Sequence, residues 1–186
     1  MKPTKPVPVE IRAVKDVPEL RRVFAHIAPL FLARVDQDQD FRLDRLLEHF
    51  GADRELMLIA IDADGQIHGA ALGYRGGPEA AKLQALAVDP QLRRQGIGTR
   101  LVRELERRAL QVGCTSIYLG AEEPARPFYA ALGYDGRHSV LSKSLGGAAL
   151  ATSAEARRQR LAILKAARDQ RIIDRSESGS DQPVRD

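Results

Sequence analysis

The chain has 186 residues, of which 44% are hydrophobic and one is a cysteine, and its formal net charge is +4 at pH 7. This length is typical of one domain with appendages. The lone Cys114 excludes an internal disulfide and fits a reducing cytoplasm. No stretch approaches the roughly 20 consecutive apolar residues of a membrane span, and residues 1–6 are not followed by the apolar segment of a secretory signal. We therefore expect a cytoplasmic protein with no membrane partner, in which Cys114 packs as a small core residue.

The N-terminal half is predicted to contain a strand, two helices and three strands. A loose leader at residues 1–6 precedes the first strand, and Asp16 is positioned to cap the first helix. A second helix ends at Gly51, and turns rich in glycine, aspartate and proline separate the next strands. The predicted bounds are a strand at 7–13, helices from Pro18 and over 43–50, and strands at 56–61, 67–74 and 81–88.

The C-terminal half continues this alternation. Apolar residues at helical spacing follow Gly98 and stop at Gly113, which predicts an amphipathic helix. A short buried strand, a helix opened by Pro124 and a last strand come next. The predicted bounds are a helix at 98–112, a strand at 116–119, a helix at 124–132 and a strand at 140–145. This order of elements predicts a three-layer α/β or α+β fold with one main sheet.

A turn rich in arginine and glycine separates the strand at 81–88 from the long helix. Glycine lets a backbone approach its ligand closely, and the first N–H groups of a helix bind anions, so Arg93, Gly96 and Gly98 indicate a phosphate site. A Walker loop needs Lys-Ser/Thr after its second glycine, and a dinucleotide loop needs a third glycine where Leu101 stands. Neither nucleotide pattern is met. A tight turn with two solvated arginines remains the alternative.

A second motif lies downstream, Ala125-x-x-Phe128-Tyr129-x-x-Leu132-Gly133-Tyr134. Together with the Val88-Asp89-Pro90 lead-in and the arginine-glycine turn, it resembles the two ordered signatures of the GNAT acetyltransferase superfamily. The resemblance covers residues 7–145, including the order of the elements. It implies the GNAT fold, a central mixed, mostly antiparallel sheet that is splayed at its fourth and fifth strands and has helices on both faces. The predicted organisation is a leader at 1–6, a GNAT acetyltransferase domain at 7–146, a basic helix at 147–175 and a disordered tail at 176–186.

The resemblance also implies a donor site for acetyl-CoA as acyl-donor co-substrate, with no metal. Main-chain groups of the splayed strand would bind the pantetheine arm and the thioester carbonyl. The amides of the turn would hold the pyrophosphate, since several N–H donors and the positive helix end favour a doubly charged anion. The cofactor-binding residues so implied are Leu86, Ala87, Val88, Arg93, Arg94, Gln95, Gly96, Ile97, Gly98 and Thr99.

For three arginines near this turn the sequence supports different roles. A cofactor-phosphate contact and simple solvation both stay open for Arg93 and Arg94. Arg100 is expected on the exposed face of the helix, paired with Glu104 four residues further on.

The resemblance implies direct attack of an amine on the thioester, so the protein must orient the acyl carbonyl, remove a proton from the ammonium and help the thiolate leave. Tyr129 matches the tyrosine that acts as general acid toward the leaving sulfur in many relatives. Packing beside Phe128 is its alternative role, and Phe128 itself is expected in the core or along the pantetheine channel.

The general base is not evident from the sequence. Many relatives carry a glutamate on the strand before the turn, where this chain has Lys82 and Gln84. The nearby carboxylates, by default solvated loop acids, are Glu79, Glu122 and Glu123. Glu122 also stands where relatives often have an asparagine that contacts the pantetheine. A water chain, or an acceptor that is already neutral, would need no base residue.

The remaining polar clusters carry less weight. Each histidine is interpreted as a surface or packing residue, with no metal-ligand spacing and no constellation among His26, His49, His68 and His138.

The acids Asp36, Asp38 and Asp40 imitate the start of a calcium loop, but its required glycine and glutamate are replaced by Phe41 and Leu47. These acids fall where the family builds its acceptor site, so they would attract a cationic amine. A solvated loop is the alternative.

The C-terminal segment is predicted as a helix over 154–173, with Leu161, Leu164 and Ile172 on a narrow apolar line. Residues 153–175 contain seven Arg or Lys against three Asp or Glu. Three interpretations stay open: a helix that docks or forms a homodimer, a basic arm for RNA or another acidic partner, and a solvated appendage. The charge excess is too small to predict nucleic-acid binding by itself, and aromatic residues that stack bases are missing.

The main hypothesis is an acetyl-CoA-dependent N-acetyltransferase that transfers an acetyl group directly to a primary amine. The competing class is a non-catalytic acyl-CoA-binding regulatory protein, favoured by the missing strand glutamate and the appended helix. A third alternative, a toxin-like transferase acting on aminoacyl-tRNA, rests on the basic helix alone and predicts steeply salt-dependent binding. The acceptor stays open among small metabolites, drugs, peptide N-termini and lysine side chains.

Overall fold

The computed structural model describes residues 7–32, 43–136 and 140–145. All of them fall in one compact unit, Met1–Leu145. The acidic segment at 36–40, the C-terminal helix and the C-terminal tail were predicted from the sequence, and they lie outside the described residues, as does His138.

The described chain forms six strands and four α-helices. The strands are β1 (Glu10–Ala13), β2 (Met57–Ile61), β3 (Ile67–Arg75), β4 (Ala80–Val88), β5 (Ser116–Gly120) and β6 (Val140–Ser144). The helices are α1 (Val17–Leu32), α2 (Leu43–Asp53), α3 (Ile97–Gln111) and α4 (Arg126–Ala131), with short 3-10 turns at Arg54–Leu56, Pro90–Leu92 and Glu123–Ala125.

The strands lie in one sheet in the order β1-β2-β3-β4-β5-β6. Only β4 and β5 are parallel, because α3 carries the chain back between them; the other four neighbouring pairs in the described sheet are antiparallel. The β4–β5 ladder runs from Ala80↔Ser116 to Leu83↔Leu119 and stops there, while β4 continues to Val88. The predicted mixed sheet with a splay between its fourth and fifth strands is therefore confirmed.

A β-bulge in β4 changes which side chains share a face. Leu72 of β3 pairs with Ala85 and its neighbour Gly73 pairs with Leu83, so Gln84 is the extra residue. Before the bulge, Leu83 faces α3; after it, Ala85 packs on the opposite face with α1 and α2. The bulge lies immediately after the last β4–β5 pair, so the side-chain pattern changes where the two strands separate.

Two hydrophobic clusters cover the two faces of the sheet. One joins α3, α4, β5 and β6, with Leu101, Leu105 and Ile117 at its centre. The other packs α1 and α2 on β2 and β3, with Leu20, Ile27 and others fully buried. Helices on both faces were predicted, and both faces are closed by apolar side chains at helical spacing.

Several predicted boundaries differ from the observed ones. β1 begins at Glu10 rather than at residue 7, although Val9 is buried as its spacing predicted. α2 passes through Gly51 and ends at Asp53. The predicted helix at 124–132 is divided into a 3-10 turn and α4. The predicted cap is confirmed, since the N–H of Glu19 donates to Asp16 Oδ1 at 2.7 Å.

Candidate active site

The turn before α3 has the backbone of an anion-binding loop. Two of its residues have positive φ, Arg94 at 64° and Gly96 at 82°. The first hydrogen bond of α3 runs from the N–H of Arg100 to the carbonyl of Gly96 at 3.0 Å. The N–H groups that precede this ladder are those of Ile97, Gly98 and Thr99. They lie at the positive end of the helix dipole, where a phosphate is favoured.

Space and unmet polarity also mark this loop. A Cβ built on Gly96 meets no atom within 4 Å, so a ligand has room to approach the backbone there. Gln95 Oε1 is buried without a hydrogen-bond partner among the described residues, and as an acceptor it does not itself favour an anion. A non-glycine residue with positive φ such as Arg94 carries about 1 kcal/mol of strain, and such strain is commonly found at ligand sites. The space over Gly96 leaves room for a ligand, and the side chains of Arg93 and Arg94 are exposed, as the alternative of a solvated turn also predicts.

The strand that leads into this loop has a free edge on the splayed side. Leu86, Ala87 and Val88 pair with β3, and all three lie beyond the last β4–β5 pair. Their main-chain groups on the β5 side have no strand partner within the described ranges, as an extended ligand requires. Arg93 Nε donates to the carbonyl of Val88 at 3.1 Å, which ties the loop to the end of the strand.

The structure brings the two sequence signatures together. A Cβ on Gly98 would lie 3.6 Å from Phe128 Cζ and 3.7 Å from Val88 Cγ2. Tyr129 follows Phe128 on α4, and the two rings meet edge to face with centroids 5.0 Å apart. Tyr129 is 7% exposed, and its burial raises the pKa of the hydroxyl to about 12. A phenol with this pKa holds its proton at neutral pH, as a general acid must.

Among the described residues, no carboxylate near the strand is positioned as an evident base. Glu122 and Glu123 are exposed, and Glu123 lies 3.7 Å from Arg126. On β4, Gln84 accepts a hydrogen bond from the hydroxyl of Tyr74 at 3.2 Å. Lys82 Nζ lies 6.0 Å from the centroid of the same ring. The default prediction of solvated acids fits Glu122 and Glu123.

The prediction that the histidines form no constellation is wrong for two of them. His26 Nε2 lies 2.8 Å from Asp89 Oδ1, and the other oxygen of Asp89 lies 3.1 Å from His68 Nδ1. His68 Nε2 in turn lies 2.8 Å from Asp62 Oδ2. We call this chain, His26–Asp89–His68–Asp62, the Asp89 network. It joins α1, β3 and the β2–β3 turn to the residue that precedes the anion-binding loop.

His68 is the central residue of the Asp89 network. His68 is buried between two carboxylates. Burial alone would lower its pKa, but its hydrogen bonds to Asp62 and Asp89 outweigh this effect and the pKa of His68 is raised. The same contact lowers the pKa of Asp62. The two carboxylates thus hold both ring nitrogens of His68 and anchor the lead-in to the loop.

The His68→Gln variant is expected to lower Tm by about 4 °C in weakly acidic buffer, because it removes two charge-assisted hydrogen bonds. A raised pKa stabilises the fold fully below the unfolded value of 6.5, and this stabilisation is lost as pH rises through the folded pKa. The lowered pKa of Asp62 stabilises the fold at pH values above its unfolded pKa of 3.8. The difference in Tm between wild type and variant should thus be largest between these two values and shrink in alkali. Thermal melts across pH measure it; a pH-independent difference would contradict the charged pairing.

A second correction concerns Arg100. Its Nη2 donates to the carbonyl of Val9 at 2.9 Å and so fastens α3 to the segment before β1. Glu104 instead accepts from Arg107 and Arg108, which lower its pKa to about 2. Cys114 is buried in the core as predicted.

Two features are absent from the described residues. No group of three or more His, Cys, Asp or Glu among them is arranged to hold a metal ion. No helix among them is long and apolar enough to cross a bilayer.

Comparison with known proteins identifies the family. The model of the acetyltransferase (GNAT) family matches residues 20–134. An acetyltransferase of Sodalis glossinidius (strain morsitans) is 31% identical over 113 residues, which are 59% of this chain and 76% of that protein. A GNAT-family acetyltransferase of Staphylococcus aureus Mu50 has a similar fold, with a TM-score of 0.61 and 18% identity over 75% of this chain and all of that one. PaiA N-acetyltransferase of Thermoplasma acidophilum, solved with coenzyme A, gives a TM-score of 0.57 at 19% identity over 74% of this chain and 99% of that one.

The splayed sheet, the loop at the start of α3 and these matches define an acyltransferase of the GNAT type. The chain belongs to the GNAT family of acetyltransferases. It is accordingly an enzyme, and its class is N-acetyltransferase.

Proposed function

We propose that the protein transfers an acetyl group from acetyl-CoA directly to a primary amine. The observation that carries this proposal is the open loop at the start of α3, which is continuous with the free edge of β4 and lies against Phe128, the residue before buried Tyr129. When bound, acetyl-CoA supplies the activated acetyl thioester. The structures solved with coenzyme A, such as the Thermoplasma acidophilum enzyme, support this choice of donor.

The residues present fit such a donor. We propose that the pyrophosphate binds to backbone N–H groups of the loop, where the helix end and the space over Gly96 favour it. These are the N–H groups of Arg94, Gln95, Gly96, Ile97, Gly98 and Thr99. The edge formed by Leu86, Ala87 and Val88 is proposed to pair with the pantetheine arm as an added strand would. Arg93 is already bonded to Val88, so we assign it to holding the loop in place.

In the proposed reaction the amine nitrogen forms a bond to the acetyl carbon and the carbon–sulfur bond breaks. Tyr129 gives its proton to the departing thiolate; burial, which raises the pKa of Tyr129 to about 12, keeps the hydroxyl protonated until this step but does not make it a stronger acid. The main chain of β4 holds the acyl carbonyl in position, and no covalent intermediate with the protein forms. The enzyme therefore acts chiefly by aligning the amine with the thioester and by protonating the leaving sulfur.

A non-catalytic acyl-CoA-binding regulatory protein is the competing function. It is favoured by Gln84, an amide hydrogen-bonded to Tyr74 on the strand where relatives often carry a glutamate base. This alternative predicts acetyl-CoA binding without turnover.

Calorimetric titration with acetyl-CoA followed by an acetyl-transfer assay separates the two functions. We expect binding, and release of free CoA with at least one class in a panel of small amines, peptide N-termini and lysine peptides. Absence of binding would contradict both functions, whereas binding with no transfer to any amine would favour the regulatory protein.

Location and partners are part of the same proposal. Buried Cys114 and the lack of any other cysteine suit a reducing compartment, and we propose the cytoplasm. The proposed partner is a small-molecule or peptide amine. Homodimerisation through the C-terminal helix remains a hypothesis, and comparison of the full chain with a chain ending at Gly147 by light scattering tests it.

A further inference from the structure

His49 and Asp53 form a pair on one face of α2. They are four residues apart, and His49 Nδ1 lies 3.3 Å from Asp53 Oδ2. The Asp53 side chain is 4% exposed and that of His49 is 34% exposed. A buried carboxylate thus holds one edge of an imidazole whose remainder reaches the protein surface.

The protonation of this pair follows from its other hydrogen bonds. Arg75 donates to both oxygens of Asp53, through its backbone N–H at 3.1 Å and through its guanidinium Nε. Asp53 is therefore an ionised acceptor, and the third donor it meets must be a protonated Nδ1 of His49. In the neutral ring Nε2 then carries the lone pair. Nε2 makes no hydrogen bond with any described residue, and it is not one of the buried unpaired atoms among them.

The pair is connected to the site where β4 and β5 separate. The His49 ring stacks on Tyr74 with centroids 4.2 Å apart and planes 15° apart. The Tyr74 hydroxyl donates to Gln84, which is the bulged residue directly after the last β4–β5 pair. Two side-chain contacts thus join the imidazole to the point of the splay.

Charged side chains flank the stacked rings of His49 and Tyr74. Asp53 and Arg75 lie on the Nδ1 side of His49, and Lys82 Nζ of β4 lies 6.0 Å from the centroid of Tyr74. Lys82 forms no ion pair with another described residue.

We propose that His49 is the general base of the acetyl transfer, held in its accepting tautomer by Asp53 and aligned by Tyr74. The inference rests on the proposed function. Nε2 takes one proton from the substrate ammonium, and the freed nitrogen lone pair forms the bond to the acetyl carbon. The electrons of the carbon–sulfur bond leave with sulfur, which receives the proton of Tyr129. The acylated nitrogen still carries one proton more than the neutral amide, and this proton passes to the tyrosinate and restores Tyr129. The imidazolium of His49 then loses its proton to water.

The test compares His49→Gln with Glu48→Gln on the full chain. Glu48 is a matched control because it is the titratable residue that precedes His49 on α2 and its side chain is exposed. We expect kcat to fall about 100-fold in His49→Gln with an unchanged Kd for acetyl-CoA, measured with the panel amine that wild type acetylates fastest. The acidic limb of the wild-type kcat/KM profile should disappear in His49→Gln alone. Thermal melts verify that both variants are folded.

Imidazole ¹⁵N spectra give a readout that does not depend on turnover. The neutral His49 ring should carry its proton on Nδ1 in wild type and lose this preference in Asp53→Asn. An Nε2-protonated ring in wild type would overturn the inference, as would an active wild type with an equally active His49→Gln. A wild type that binds acetyl-CoA and acetylates no amine would overturn the proposed function itself, and the base role with it.

Discussion

Tyr129→Phe is expected to lower kcat for acetyl transfer by about 100-fold to 1000-fold while leaving the Kd for acetyl-CoA within about threefold of wild type. The variant keeps the ring that packs on Phe128 and removes only the hydroxyl proton for the leaving thiolate. Removing an interaction made in the transition state lowers kcat and kcat/KM together. Steady-state kinetics with detection of free CoA, combined with calorimetry, measures both quantities.

The pH profile sharpens this prediction. Because burial raises the pKa of Tyr129 to about 12, its hydroxyl stays protonated throughout the assay range. Deprotonation of Tyr129 should therefore give no alkaline limb below about pH 10. A limb near the ordinary tyrosine pKa that vanished in Tyr129→Phe would show that the environment of Tyr129 is more polar than the structure indicates.

Tyr134→Phe is the matched control. Tyr134 is buried beside Tyr129, with ring centroids 5.8 Å apart. Its hydroxyl is buried and makes no close hydrogen bond in the described part of the chain, although it lies near the Glu106 carboxylate, which together with burial raises its pKa. Removing a buried hydroxyl that lacks a close hydrogen bond costs little, so activity and Tm should be nearly unchanged. Equal losses in the two variants would assign Tyr129 a packing role.

The sequence predicted best what depends on local spacing. The strands around the β2–β3 turn, the cap at Asp16 and the two signatures all follow from residues close together in the chain, and the structure brings Gly98 and Phe128 into contact. The splay followed from the family resemblance. The bulge at Gln84 was not predicted, because the alternating pattern of β4 continues across it while its faces change.

The histidines show where sequence reasoning failed. His26 and Asp89 are 63 positions apart, and no spacing rule joins residues on α1 and at the end of β4. For His49 a local signal did exist, since a histidine and an aspartate four residues apart meet on a helix. Ending α2 at Gly51 placed Asp53 outside the helix and concealed the pair. One misplaced boundary thus removed a candidate base from consideration.

Gly96→Ala is expected to raise the Kd for acetyl-CoA at least tenfold. Its backbone has φ +82, and the space that a Cβ would occupy is open in the structure. That space adjoins the N–H groups at the start of α3, so a methyl group would displace a phosphate from them. Loss of one charge-assisted hydrogen bond, about 1.5–3 kcal/mol, already accounts for the tenfold effect.

Backbone strain must be separated from this steric effect, and the chain offers a matched glycine. Gly65 in the β2–β3 turn has φ +78 and also has nothing within 4 Å of its built Cβ. Gly65→Ala should therefore lose similar stability, about 1–2 kcal/mol, and keep the wild-type Kd. If both variants bound acetyl-CoA as wild type does, the loop would not be the pyrophosphate site. Weaker binding by Gly96→Ala alone would mean that the donor occupies the open space over Gly96. Both variants carry similar backbone strain, and only Gly96 lies in the loop before α3.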